Sequence, residues 1–132
     1  MQEIIKDGVI FARIIFNEDW YEGLSFFSKD EEYIQVGTWN YSSGKELAAH
    51  MHNQVQRTIF HTQEVLYIKQ GKILASVLDM NDELIQTMEI KEGEIIILLN
   101  GGHGYKVLED NTLVLEIKNG PYLGAEIDRR RL

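Results

Sequence analysis

Apolar residues in this chain come in short runs that alternate with polar positions or stop at turn residues. Residues 9–16 form an apolar, β-branched run, and residues 34–39 show a two-residue alternation. Residues 46–52 continue this kind of pattern into a pair of histidines. Such patterns predict strands, because successive side chains of a strand point to opposite faces. No segment has the apolar spacing of an amphipathic helix.

From Glu64 onward, the predicted strands follow one another as a meander. Turn residues separate the apolar runs at residues 70–71, 81–82, 91–93, 100–102 and 110–111. A turn signal every 8–12 residues or so is typical of a β-sandwich or β-barrel. We therefore expect a single all-β domain that spans residues 1–132, with no linker and no internal repeat.

The least regular stretch is residues 22–32, which includes the charged run Lys29-Asp30-Glu31-Glu32. Charge runs usually form solvated surface, so we expect a solvated turn here. The alternative is a loop that covers the mouth of a barrel.

Composition and charge narrow the possible functions. The chain has no cysteine, which excludes thiolate metal sites, thiol nucleophiles and disulfides. It has 21 acidic and 13 basic residues, and its formal charge of −8 argues against a nucleic-acid partner. The start of the chain does not resemble a secretory signal, and no run is long enough to span a membrane. We expect a cytoplasmic protein without membrane contact.

Histidines provide the candidate chemistry. His50 and His52 are two residues apart, so on a strand they would lie side by side on one face. Glu64 opens the next strand, and His103 follows a glycine turn in NGGHGYKV. Three imidazole nitrogens and one carboxylate oxygen would suit manganese, iron, nickel, cobalt or zinc. A six-coordinate ion in such a site would keep positions open for a ligand.

The spacing around these residues resembles the small single-domain cupins. Their first motif is matched in residues 44–71 by Gly44, five residues, His50-Met51-His52, and then by Glu64, six residues and Gly71. Eleven residues separate His52 from Glu64, where the family usually has three or four. The second motif is matched in residues 93–107, with leucine in place of proline, the histidine one residue early and the asparagine absent.

The resemblance implies a double-stranded β-helix, which is a jelly-roll barrel, with one divalent transition metal (Fe, Mn, Ni or Zn) inside. His50, His52, Glu64 and His103 would be the ligands. Because the insertion displaces the motif, His61 or Gln63 is an alternative to Glu64. The resemblance also implies a homodimer in which the N-terminal strand packs across the partner.

Four further residues are candidates for contact with a substrate. Tyr105 would share a face with His103, and Tyr67 would line the interior if its side of the strand points inward. Either tyrosine, with its pKa lowered by a cation, could act as general acid or base. Arg57 and Gln63 are candidate ligand-binding residues, since a guanidinium near the barrel mouth could hold a carboxylate or phosphate.

Two kinds of function fit these expectations. The first is a metal-dependent enzyme, of the isomerase/epimerase or dioxygenase type, that acts on a small polar sugar-like or carboxylate substrate. The alternative is a non-catalytic module that binds a small ligand and carries a structural or vestigial metal site. Similar small cupins with a Gly-Pro-Tyr segment like that at residues 120–122 occur among bacterial genes for surface-polysaccharide biosynthesis, which favours a sugar-like ligand.

Overall fold

The computed structural model describes residues 1–132, and strands dominate it, as the sequence predicts. The strands are β1 (Gln2–Lys6), β2 (Val9–Ile15), β3 (Gly23–Phe26), β4 (Gly37–Asn40), β5 (Glu64–Gln70), β6 (Lys72–Leu78), β7 (Leu84–Lys91), β8 (Ile95–Leu98), β9 (Gly102–Val107) and β10 (Leu113–Lys118). A 3₁₀ turn covers Asn17–Asp19, and one helical turn, α1, covers Ala125–Asp128. No helix has the length and apolar character needed to span a membrane.

The strands form three antiparallel sheets, none of which closes on itself. The largest has five strands in the order β1-β2-β8-β5-β10. A three-stranded sheet has the order β7-β6-β9, and β3 and β4 form a separate two-stranded ribbon. The five-stranded and three-stranded sheets pack face to face, so the core of the protein is a β-sandwich.

The main core lies between these two sheets. The five-stranded sheet contributes alternate residues such as Ile14, Leu66 and Ile96, and the three-stranded sheet contributes Val77 and Ile90. All of these side chains are almost fully buried. The two-residue alternation of the sequence therefore corresponds to an inner and an outer face of each strand.

The outer face of the five-stranded sheet is covered as well. Residues 27–36, here called the covering loop, place Phe27, Ile34 and Val36 against a second apolar cluster that includes Val65 and Ile97. Both faces of β8 are thus buried. This explains why its sequence, Ile-Ile-Ile-Leu, is apolar without alternation.

A buried ion pair fixes the covering loop, and it corrects one prediction. Arg13, 2% exposed, donates two hydrogen bonds to the carboxylate of Glu32, at 2.9 and 3.0 Å. It also donates to Glu3 at 2.9 Å. The expectation that residues 29–32 form only a solvated turn is therefore wrong for Glu32, because a buried guanidinium needs a carboxylate partner.

One predicted strand is absent. Residues 46–52 have no regular structure, although their sequence is strand-like. They belong to residues 41–63, here called the connecting segment, which joins β4 to β5. No backbone–backbone hydrogen bond involves residues 46–62. Since a strand exists only beside a neighbouring strand, sequence pattern alone does not make one here.

Candidate metal and ligand site

Glu64 stands at the start of β5, where the sandwich is open. Strand pairing places it beside Leu98 on β8 and Lys118 on β10. It points inward with Leu66, as the predicted alternation requires, and the residue is only 5% exposed. A carboxylate this deeply buried needs partners, and Lys118 supplies one, with its Nζ 3.2 Å from Oε2 of Glu64.

The opposite sheet supplies two more partners from β9. His103 pairs with Val77 and Tyr105 pairs with Ala75, so both side chains share the inward face, as predicted. The Tyr105 hydroxyl donates to Oε1 of Glu64 at 3.2 Å, and Nε2 of His103 lies 3.5 Å from Oε2. We call Glu64, His103, Tyr105 and Lys118 the Glu64 cluster. It bridges the two sheets across the open side of the sandwich.

Electrostatics within the cluster favour a charged Glu64 and a neutral Tyr105. Burial alone would raise the pKa of Glu64, but the hydrogen bond and charge of His103, together with the charge of Lys118, lower it below its usual range. Burial of its hydroxyl, followed by the nearby Glu64 carboxylate, strongly raises the pKa of Tyr105. The surrounding side chains therefore keep Tyr105 a proton donor, and a pKa lowered by a bound cation stays a prediction for this residue.

Chemically, the cluster offers one carboxylate and one imidazole side by side, with a phenol and an ammonium at their edge. Oxygen and nitrogen donors of this kind suit a divalent transition metal. Glu64 and His103 fit as half of such a donor set. The other half has to come from elsewhere, because no group of three or more histidine, aspartate or glutamate side chains is arranged to hold an ion.

His50 and His52 lie together, but apart from the Glu64 cluster. Their ring centroids are 5.2 Å apart, but this contact forms without the strand from which their side-by-side placement was predicted. Both are exposed on the connecting segment, and the Nδ1 atom of His50 lies 3.2 Å from the carbonyl oxygen of Ala48. The structure thus brings the four predicted ligands together as two pairs rather than as one site.

His61 and Gln63, the alternatives to Glu64, lie on the outer side of the five-stranded sheet. The Nε2 atom of His61 is 2.9 Å from the Leu99 carbonyl oxygen, and its ring packs edge-on against Tyr33. The side-chain oxygen of Gln63 accepts hydrogen bonds from the backbone of Tyr33 and Ile34, at 2.8 and 3.1 Å. Both residues hold the covering loop in place, and neither joins the Glu64 cluster.

Tyr67 and Arg57 are also remote from the cluster. Tyr67 packs on the outer apolar cluster. It follows Glu64 by three residues on β5, so the two side chains point to opposite faces of the strand. Arg57 makes one local hydrogen bond, to the carbonyl oxygen of Val55 at 3.3 Å. In this arrangement neither side chain can assist chemistry at Glu64.

Sequence reasoning missed Lys118 and its neighbour Glu116. The Glu116 carboxylate lies 2.7 Å from the Lys118 ammonium, and both residues point to the inner face of β10. Their alternation in LVLEIK would have placed them on one face. Nothing in the sequence, however, indicated that β10 pairs with β5 and so brings that face to Glu64.

No protein-family model matches this chain, and no curated protein or solved structure shows significant similarity to it. The likeness to cupins therefore rests on the motif spacing in residues 44–71 and 93–107. Function has to be inferred from the residues and from the geometry described above.

Proposed function

We propose that this protein is a small metal-binding cupin whose Glu64 cluster takes part in proton-transfer chemistry on a small polar ligand. The metal would be one divalent transition ion per chain, of the Fe, Mn, Ni or Zn kind. His50, His52, Glu64 and His103 would hold it. The reaction class would be that of an isomerase or epimerase, and the substrate would be sugar-like or would carry a carboxylate.

The observation that carries this proposal is the Glu64 cluster. Side chains from three strands and both sheets meet at one buried carboxylate. Perturbed ionisable groups gathered in this way are candidate functional residues. The Glu64 carboxylate accepts a hydrogen bond from the Tyr105 hydroxyl, and the His103 ring and the Lys118 ammonium lie within 3.5 Å of its other oxygen. A carboxylate, an imidazole, a phenol and an ammonium that meet in this way can bind a metal ion and a polar ligand together.

The residues of the cluster have distinct roles in this proposal. A bound ion would polarise a carbonyl or hydroxyl oxygen of the substrate and so acidify the adjacent carbon. The carboxylate of Glu116, on the inner face of β10 beside Lys118, would accept the proton from that carbon and return it. Tyr105 keeps its proton and donates a hydrogen bond to an oxygen that gains negative charge. Lys118 keeps Glu64 ionised, and its ammonium can donate a further hydrogen bond to an oxygen of the ligand. Apolar neighbours such as Val77 exclude water from the inner wall.

Proton transfer is favoured here over oxygen chemistry because the cluster supplies a hydrogen-bond donor, a cation and a carboxylate. A dioxygenase remains the alternative enzyme class, and the oxygen requirement separates the two. Turnover of a candidate sugar or keto acid under argon at the rate seen in air supports an isomerase. Loss of turnover under argon supports a dioxygenase.

A non-catalytic ligand-binding module is the second candidate function. It is favoured by the fact that both oxygens of Glu64 already have partners within the protein, in Tyr105, His103 and Lys118. Such a satisfied network can stabilise the fold without a metal. This candidate predicts saturable binding of a ligand that is recovered unchanged.

Elemental analysis is the first test of the proposal. Untagged protein, purified without chelators, should contain about one transition-metal ion per chain. We expect the metal to be lost in His50→Ala and in His103→Ala, and retained in His61→Ala, because His61 is bonded on the outer side of the sheet. Metal loss in His61→Ala with retention in a Glu64→Gln variant would instead assign the third ligand to His61. Absence of metal after reconstitution with iron, manganese, nickel and zinc would leave the binding module as the function.

A further inference from the structure

Two sheet edges are left open on the side of the sandwich where the Glu64 cluster lies. β9 pairs only with β6, and β10 pairs only with β5. Both strands expose apolar side chains, including Val107 at 62% and Leu115 at 54%. Unpaired edges with apolar side chains readily add a further strand.

The connecting segment lacks partners of its own. Its residues 46–62 form no backbone–backbone hydrogen bonds, and all of residues 41–61 are exposed. Among them are Met51 at 90%, Val55 at 60% and Phe60 at 83% exposure. A strand-like segment with this much exposed apolar surface gains stability only if another surface covers it.

Within one copy, both ends of the connecting segment lie on the outer side of the five-stranded sheet, whereas the Glu64 cluster lies on its inner side. At its C-terminal end, His61 and Gln63 are hydrogen-bonded to Leu99 and to the covering loop, on the outer face of the five-stranded sheet. At its N-terminal end it continues from the β3–β4 ribbon, which extends from that same covering loop. Glu64, in contrast, shares the inner face of β5 with Leu66.

We propose that the connecting segments of two copies are exchanged, so that each segment pairs with the β9 or β10 edge of the other copy. Exchange would bring His50 and His52 of one chain to Glu64 and His103 of the other. Each metal site would then be built from both chains, and neither chain could complete one alone. Reciprocal exchange of an identical element gives a closed two-fold dimer. The inference deepens the proposed function and rests on it for the metal.

The chemistry of the two halves agrees with this assembly. Glu64 and His103 offer an oxygen and a nitrogen donor on paired strands, within 3.5 Å of each other. His50 and His52 offer two nitrogen donors, and their ring centroids are 5.2 Å apart. Together they make the three-nitrogen, one-oxygen set that the sequence predicts. The same exchange would pair the open backbone of the edges and cover the exposed apolar residues of the segment.

A mixed dimer tests the shared site. The His50→Ala/His52→Ala variant and the Glu64→Gln/His103→Ala variant are co-expressed with different affinity tags, and the heterodimer is isolated by two successive purifications. It is then loaded with Zn²⁺, and bound zinc is measured by mass spectrometry. We expect about one zinc ion per heterodimer, about two per wild-type dimer, and none in either parental homodimer, because exchange gives the heterodimer one intact site.

Two outcomes would overturn the proposal. One is wild-type protein that binds zinc as a monomer by light scattering. The other is a heterodimer that holds no zinc while the wild-type dimer does, since sites built within single chains would then both be damaged. Either result would leave the proposed metal function in place and reject only the exchange.

Hydrogen exchange provides a readout that needs no metal. In the dimer, the amides of residues 46–60 and of the β9 or β10 edge should be protected, and dilution to the monomer should remove protection from both together. A wild-type protein without zinc affinity but with this protection would refute the metal site and support the exchange. Amides of residues 46–60 that exchange freely in the dimer would refute the exchange.

Discussion

At the scale of single residues, charged side chains with little solvent exposure each have an oppositely charged partner. Arg13 and Glu64 are buried, and the side chain of Glu32 is only 9% exposed. A buried ion that keeps its partner adds little net stability, but one that loses its partner is very costly. For this reason Arg13 holds the covering loop through Glu32, and Glu64 stays ionised beside Lys118.

Arg13→Ala should destabilise the protein by about 3 kcal/mol, because it leaves the half-buried Glu32 carboxylate without its charged partner. The double variant Arg13→Met/Glu32→Leu, which removes both charges and keeps the bulk, should recover most of this loss. Urea denaturation followed by circular dichroism measures both. Equal losses in the single and the double variant would contradict this account.

Asp79 should give a pH-dependent contribution to stability. Its carboxylate pairs with Lys6, and one oxygen accepts hydrogen bonds from the backbone of Asn81 and Glu83, at 2.8 and 3.0 Å. The hydrogen bond with Lys6, followed by that from the Glu83 backbone, lowers the pKa of Asp79 below its usual value. The unfolded chain therefore binds this proton more tightly, so the contribution is present above about pH 4 and is lost as pH falls through the lowered pKa.

In an experiment, Asp79→Ala should lower the melting temperature at pH 7 more than at pH 3. Asp82→Ala serves as the comparison, because Asp82 pairs only with Arg130 on the surface, where ion pairs add little. A melting-temperature difference for Asp79→Ala that is the same at both pH values would refute this interpretation.

At the scale of elements, turn glycines and strand neighbours decide what forms. Gly71 separates β5 from β6 with a φ of +79°, and an added Cβ would clash with the side chain and Cα of Thr112. Gly8 separates β1 from β2 with a similar φ of +78°, but nothing lies within 4 Å of its added Cβ. Comparing substitutions at the two glycines therefore separates the free-energy cost of the left-handed backbone from the cost of a steric clash.

Gly8→Ala should cost about 1 kcal/mol, which is the penalty of the left-handed backbone alone. Gly71→Ala should cost about 2–4 kcal/mol, since overpacking against Thr112 is added to the same penalty. Denaturation midpoints of the two variants measure this difference. Equal costs would mean that residues near Thr112 move aside without loss.

The sequence predicted most strands of the meander correctly because their apolar alternation is strong and their turns contain glycine, asparagine or aspartate. It failed at residues 46–52, where the same kind of pattern has no neighbouring strand within the chain. It also could not place Lys118 beside Glu64. Strand order is set by contacts between segments far apart in the chain, and no local pattern encodes them.

At the scale of the whole molecule, the sandwich core and the predicted ligand pair His50–His52 are independent. No residue of the connecting segment before Gln63 is buried, and neither apolar cluster includes one. The fold can therefore tolerate change in this segment, whereas the proposed metal site would require His50 and His52.

His50→Ala/His52→Ala should leave the metal-free protein folded, with a melting temperature within about 2 °C of the wild type, because exposed side chains contribute little. Thermal denaturation in the presence of a chelator measures this. Val77→Ala serves as a positive control and should be clearly destabilised, since Val77 is 1% exposed. A large loss in the histidine variant would show that the histidines belong to the folded core.

Residue pattern alone was enough for the all-β class and the turn positions, and it put Glu64 and the alternate residues of its strand on one face. These features depend on alternation and turn chemistry within a few residues. The tertiary structure was needed to show which face of β5 points inward, which edges stay open, and that Glu64 joins His103, Tyr105 and Lys118. It also placed Glu32 on a buried arginine. These outcomes depend on which distant strands become neighbours, and on the requirement that every buried charge find a partner.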